Sequence, residues 1–230
     1  MNTSLRISDR EPREPEAQST FNVLFRQSNA RIADGLRRSK RYLGIYSAGI
    51  GYCGNGLLLT GASGVGKTTL ALELAYRGYA LLGDETTIYD RTEQRLLPLE
   101  RALMIRSGSF PLLTDPTLEE RCKRFGFAST EGSRRVYHVR ACALFGASAF
   151  SPPVRPRVIV HLERGQPSGL IQLSTARYIC SMSSCFYLER STPAATMEVL
   201  TDLRDVSVYR LRIDAPRAAA DAIVELLDAL

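Results

Sequence analysis

The sequence predicts an α/β protein built on a phosphate-binding (P-loop) core, with a mixed, partly parallel sheet. Three observations carry that expectation. Gly61, Ala62, Ser63, Gly64, Val65, Gly66, Lys67 and Thr68 complete the pattern G-x-x-x-x-G-K-[ST], whose glycines let backbone N–H groups turn inward around a polyphosphate. The run GLLLT at 56–60 enters that loop as a short buried strand, and residues 69–77, starting at Thr69, leave it as a helix with Gly78 ready to supply a left-handed C′ position. A second apolar run at 79–82 then ends on Gly83-Asp84-Glu85, giving a strand–helix–strand unit whose right-handed crossover makes the two strands parallel.

The remaining elements follow in order. Residues 1–20 are polar, carry Pro12 and Pro15, and read as a flexible tail, leaving 21–230 as a single domain. Residues 21–25 suit an edge strand, and 30–42 a basic helix weakened by Gly35. Residues 44–52 read as one strand, turned by Cys53-Gly54-Asn55-Gly56 into the strand before the loop. The helix after the loop is apolar nearly all round except for Glu73 and Arg77, so sheet and neighbours should cover most of it. Strands follow at 86–89 and 95–97 around a turn at 90–94. Beyond residue 100 the signals soften. Residues 157–163 read as a strand, and 175–186 and 193–203 as helices. Residues 207–213 alternate as a half-buried strand with Tyr209, Leu211 and Ile213 on one face. Residues 216–230 form an amphipathic helix on Ile223, Leu226, Leu227 and Leu230.

Composition excludes several classes. Of the 230 residues, 44% are hydrophobic and 23% charged, ordinary values for a soluble globular chain. No apolar run is long enough to span a membrane, and residues 1–6 lack the apolar core of a secretion signal. The five cysteines are scattered, with no C-x-x-C pair, which fits buried reduced thiols in a cytoplasmic protein. A net charge of +6 favours an anionic ligand such as a nucleotide, or an acidic peptide. The densest basic run, residues 37–41, has no interleaved aromatics for stacking bases, so nucleic acid is not expected.

The chemistry converges on phosphoryl transfer. Lys67 is placed to reach the β/γ-phosphates, and the Thr68 hydroxyl to bind Mg²⁺. Asp84 and Glu85 come 17 and 18 residues after Lys67, one strand later. Both strand ends open on the crevice where open α/β sheets bind ligands. Phosphoryl transfer uses an acid to hold Mg²⁺ and another group to orient or deprotonate the attacking oxygen. Thr68, Asp84 and Glu85 are therefore the metal candidates.

An acid on the very next strand, together with the sequence from 56 to 74 and 78 to 85, resembles the HPr kinase/phosphorylase family, whose core is shared with phosphoenolpyruvate carboxykinases. Weaker likeness continues through 98–109 and 157–163. The chain looks more like the short stand-alone HPr-kinase-like proteins, some found with peptide-modification systems. The resemblance implies that sheet type, ATP and Mg²⁺ as cofactors, serine kinase activity, and Asp84 acting on the incoming hydroxyl. It also raises a homo-oligomer as an expectation. Tyr46, fifteen residues before Gly61, stands where the family often has His. A phenol titrates near 10 and is a poor proton acceptor at neutral pH.

Arg106 could clamp a phosphate or a substrate carboxylate, whereas Arg101, Arg134, Arg135 and Arg140 read as solvated surface residues. His138 reads as a satisfied half-buried residue, and residues 131–133 as a mobile substrate loop. The expected function is an ATP- and Mg²⁺-dependent kinase acting on a serine of a protein or peptide, such as a precursor peptide. A regulatory nucleotide-binding module and a small-molecule kinase stand as alternatives.

Overall fold

A computed structural model describes residues 27–131, 133–166, 169–189 and 192–229. The expected tail at 1–20 and strand at 21–25 lie outside these. Helix α1 covers residues 27–38. It ends earlier than the sequence suggests, because Tyr42–Ile45 is strand β1.

The segment at 44–52 is two strands. β1 pairs antiparallel with β5 (Thr87–Asp90), which pairs antiparallel with β6 (Arg95–Leu97) in a small sheet. At Tyr46-Ser47 the chain leaves that sheet and enters another as β2 (Ala48–Tyr52). The expected turn at Cys53-Gly54, both with positive φ, returns the chain as β3 (Asn55–Gly61). A positive φ at both central residues matches the twist of flanking strands in a two-residue hairpin.

The central sheet has six strands in the order β11-β12-β10-β3-β2-β4, where β4 is Ala80–Gly83, β10 Arg155–Arg164, β11 Ile171–Leu173 and β12 Ser207–Ile213. β3, β10 and β12 run parallel, and the other pairings are antiparallel. β4 therefore shares the direction of β3, as expected of the strand–helix–strand unit, but β2 lies between them. The hairpin takes the edge of β3 that the crossover strand would otherwise occupy.

Helix α2 (Lys67–Tyr76) begins two residues before the predicted start, at the lysine itself. It ends in a complete Schellman motif: Tyr79 N–H bonds the Leu74 carbonyl at 3.1 Å, and Gly78 N–H bonds that of Ala75 at 3.0 Å, with Gly78 at φ 94°. A third sheet, β7-β9-β8, comprises Ala102–Arg106, Arg134–Arg140 and Phe127–Glu131. Of these strands the sequence showed only a strand-like setting around His138, at 136–139. Short helices α3 (Leu118–Phe125) and α4 (Ala141–Phe145) accompany it.

The core has two halves, one on each face of the central sheet. Leu57, Leu59, Val158, Val160 and Leu162 face α2 and the C-terminal helix α7 (Pro216–Asp228), while Leu58 and Ile159 face α5 (Thr175–Ser181), α6 (Pro193–Asp202) and β1. β12 alternates as expected: Tyr209, Leu211 and Ile213 lie on the face of the first half, while on the opposite face Val208 alone is buried, in the second half, and Arg212 is exposed. The helix foreseen over 175–186 stops at Ser181, and Phe186 bridges to Ile45 as extended chain. Glu73 is buried in α2 and satisfied by the Thr114 amide and hydroxyl at 2.9 and 2.7 Å. Cys122 and Cys185 are buried thiols, but Cys53, Cys142 and Cys180 are exposed, which corrects the expectation for those three. Among the described residues no helix is long and apolar enough to cross a membrane.

Candidate active site

The loop after β3 owes its shape to glycine. Gly61, Gly64 and Gly66 have φ of 130°, 78° and 120°, a range L side chains rarely adopt. A Cβ on Gly61 would also lie 2.5 Å from the Leu162 carbonyl oxygen of the neighbouring parallel strand. The loop delivers its backbone to the N-terminus of α2, where helix N–H groups and dipole favour an anion.

Lys67 is buried and folds back over the loop. Its Nζ donates to the carbonyls of Gly61 and Ala62 at 2.9 and 3.0 Å and lies 4.3 Å from the centre of the Tyr46 ring. Burial lowers its pKa, while Asp84 opposes that shift. Tyr46 sits where the chain changes sheets, at the edge of the loop. Burial raises its phenol pKa despite a hydrogen bond with Ser63, so it stays protonated at neutral pH.

The step out of β4 brings the predicted acids to the loop. Thr68 Oγ1 donates to Asp84 Oδ1 at 2.8 Å, and the Glu85 amide donates to the same oxygen at 3.0 Å. Oδ2 is buried and closes no hydrogen bond of ordinary geometry among the described residues. Burial pushes the Asp84 carboxyl up to about 6, with the Glu85 charge adding to the rise and the Thr68 hydroxyl and Arg101 opposing it. Glu85 takes a left-handed φ of 62°, an uncommon conformation for a non-glycine residue.

Arg101 is not the solvated residue the sequence suggests. Its side chain is 13% exposed. It donates to the Asp84 carbonyl at 2.9 Å and to Asn29 Oδ1 of α1 at 2.7 Å, and lies 3.7 Å from the Glu85 carboxylate. No local pattern in the sequence marks this contact.

A cavity of about 390 Å³ lies beside them, lined by Tyr46, the loop, Thr68, Thr69, Glu85 and Arg106, with Asp84 buried behind Thr68 and not among the lining residues. Thr69 and Ser109 exchange a hydroxyl contact of 3.0 Å across its floor. Arg106 lines the cavity. Two wall residues depart from the sequence reading: Arg134 borders the cavity, and Arg164, unforeseen, donates to the Gly64 carbonyl at 3.0 Å. Arg164 ends β10, the parallel neighbour of the loop strand, and only that pairing could have identified it. Ser133 also lines the cavity, in the β8–β9 turn, while Gly132 of the predicted substrate loop lies outside the described residues. Arg135 and Arg140 are exposed away from the cavity, and His138 is buried against Ser129 Oγ at 2.8 Å.

The site brings together a glycine-shaped loop at a helix N-terminus, a buried lysine, a hydroxyl touching a carboxylate, and arginines on the cavity wall. No family model matches the chain. Among curated proteins, the HPr kinase/phosphorylase of Azoarcus sp. is 31% identical over 146 residues, 64% of this chain and 39% of that protein. The HPr kinase/phosphorylase of Listeria welshimeri is 32% identical over 114 residues, 50% of this chain and 30% of that protein. Of solved structures, the HPr(Ser) kinase/phosphatase from Coxiella burnetii matches with TM-score 0.42 and 14% identity, covering 81% of this chain and 88% of that one. The matches span well under half the length of these curated relatives. In sequence the chain is similar to HPr kinase/phosphorylases, as residues 56–85 suggest.

Proposed function

We propose that this chain is an ATP-dependent kinase that transfers the γ-phosphoryl group to a serine hydroxyl on a protein or peptide. The observation that carries the reading is the 2.8 Å contact between Thr68 and Asp84, which joins the phosphate loop to an acid. The kinase/phosphorylase names of the relatives support the reaction class. The acceptor is proposed by class, a precursor peptide of a modification pathway among them.

The loop amides and Lys67 hold the triphosphate, and Arg106 faces the charge that develops on the transferred group. Thr68, Asp84 and Glu85 are the residues that would hold Mg²⁺. The buried Oδ2 of Asp84, without a hydrogen bond of ordinary geometry, fits a cation ligand. When bound, Mg²⁺ would neutralise charge between the β- and γ-phosphates. Asp84 orients the acceptor hydroxyl and takes its proton as the serine oxygen bonds to phosphorus and ADP departs. A carboxyl at about 6 is matched to that task at neutral pH, and Tyr46 serves as a hydrogen-bond donor where the related family often has a base.

Labelled ATP with Mg²⁺ and a library of serine peptides tests the proposal. Lys67→Ala should abolish turnover. Asp84→Asn should keep nucleotide binding and lose transfer. Parental transfer by Asp84→Asn would remove Asp84 from its role. ATP binding without transfer to any acceptor would favour a regulatory module, and label on free metabolites a small-molecule kinase.

A further inference from the structure

A second cleft, of about 620 Å³, lies at the other end of the β1–β5 ladder from the catalytic acids. We propose that it is the docking surface for an acidic stretch of the polypeptide acceptor, an inference that rests on the protein-kinase reading above. Arg37, Arg38 and Lys40 line it from the end of α1, with Tyr42 of β1, Arg91 after β5, and Tyr187. All three α1-end cations are exposed. Two of the four cleft cations are already paired: Arg38 with Asp34, and Arg91 with Glu198 and Asp202. Arg37 and Lys40 form no ion pair with a described residue; the four cations face two lining carboxylates, Glu189 and Glu198, and Glu198 is the one paired with Arg91. The surplus charge is positive.

The β1–β5 ladder lies between the cleft and the catalytic cavity. Tyr42 and Leu43 of β1 line the cleft, and Tyr46, the residue just after that strand, lines the catalytic cavity. Flanking the partner strand β5, Arg91 lies in the cleft and Glu85 in the cavity. Tyr187 closes the wall between them: its hydroxyl meets Thr86 Oγ1, next to Glu85, at 3.1 Å, and its amide donates to the Gly44 carbonyl of β1 at 2.8 Å. Four residue steps of strand at about 3.3 Å each give a separation of about 13 Å. An extended peptide covers that distance in about four residues. An acceptor serine at Asp84 would therefore present side chains three to five positions away to Arg37 and Lys40.

An acidic peptide fits better than nucleic acid. The two aromatic rings here already carry guanidinium groups, Arg37 over Tyr187 at 5.7 Å and Arg41 over Tyr42 at 5.1 Å, so neither offers an open platform for a base.

The test uses the full chain, its Arg37→Glu/Lys40→Glu double variant, and serine peptides carrying Asp or Lys three to five positions on either side of the serine. Binding is read by fluorescence anisotropy and transfer by labelled ATP, with a single-stranded oligonucleotide as competitor. The acidic peptides should bind the parent about tenfold more tightly than the Lys peptides, the scale of two exposed charge contacts. The double variant should lose or reverse that preference while its ATP affinity is unchanged. Unchanged peptide preference in the double variant, equal binding of both peptide sets to the parent, or displacement by the oligonucleotide at lower concentration than by peptide would each overturn the proposal. Charge-dependent binding without phosphate transfer would uphold the surface and reject the kinase reading.

Discussion

Asp84 is buried, yet its proposed work requires a charge. Burial is the main cause that holds its carboxyl at about 6 instead of 3.8. Two outcomes follow. Transfer should rise with pH through about 6, because only the carboxylate can accept the hydroxyl proton. A kcat/KM profile measured from pH 5 to 8 checks it, and a profile flat across that interval would remove Asp84 as the base. The sign for stability is opposite. The folded protein binds this proton more tightly than the unfolded chain, so the group favours folding at low pH. That contribution is lost as pH rises from 3.8 through about 6. The ionised carboxyl then costs about 3 kcal/mol, at 1.36 kcal/mol per pKa unit. Asp84→Asn should accordingly raise the melting temperature of the nucleotide-free protein at pH 8, by several degrees, and leave it nearly unchanged at pH 4. Scanning calorimetry at the two pH values distinguishes this from a general effect of the substitution.

The elements explain why these residues meet. The chain passes between the central sheet and the β1-β5-β6 sheet twice near the loop, at Tyr46-Ser47 and at Asp84–Thr86, and both passages border the loop before α2. Ser47 and Thr87 tie the crossings together through a 3.0 Å hydroxyl contact. The loop, the helix it starts and the acids after β4 were legible in the sequence because each is written within a few consecutive residues. Tyr46 was legible through the family resemblance. Arg164 and Arg101 were not, since one depends on the pairing of β10 with β3 and the other on β7 lying near α1, both long-range facts with no local pattern. The β7-β9-β8 sheet was legible only at 136–139, because short antiparallel strands joined by polar turns carry weak periodicity. Arg101 supplies the prediction at this scale. It fixes the left-handed Glu85 turn from outside, through the Asp84 carbonyl and Asn29. Arg101→Met should destabilise the fold by about 2 kcal/mol, the scale of buried hydrogen bonds to a charged group. It should also lower kcat more than it raises the KM for ATP. Arg101→Lys, which keeps one cationic donor, should recover part of the kcat. A change confined to the KM for ATP would mean that Arg101 acts on the nucleotide and not on the acids.

At the scale of the whole molecule, the site gathers residues from β1 to the end of β10, so its walls draw on both halves of the core. The loop strand β3 faces one half through Leu57 and Leu59 and the other through Leu58. A ligand held there should therefore stabilise the fold as a unit, not a local segment. Binding to the native state alone, at a hundred times its dissociation constant, contributes about 2.7 kcal/mol. For a chain of this size that is a rise of about 5–10 °C in melting temperature. ATP with Mg²⁺ should produce one sharpened transition shifted by that amount. Lys67→Ala should show no shift at the same concentration. Asp84→Asn should keep the part due to ATP alone and lose the increment that Mg²⁺ adds, since it removes a charged oxygen from the proposed metal set but nothing from the loop. Calorimetry with ATP, with Mg²⁺ and with both separates the terms. An undiminished shift in Lys67→Ala would locate the nucleotide away from the loop, and an undiminished Mg²⁺ increment in Asp84→Asn would leave Glu85 and Thr68 to hold the cation without it.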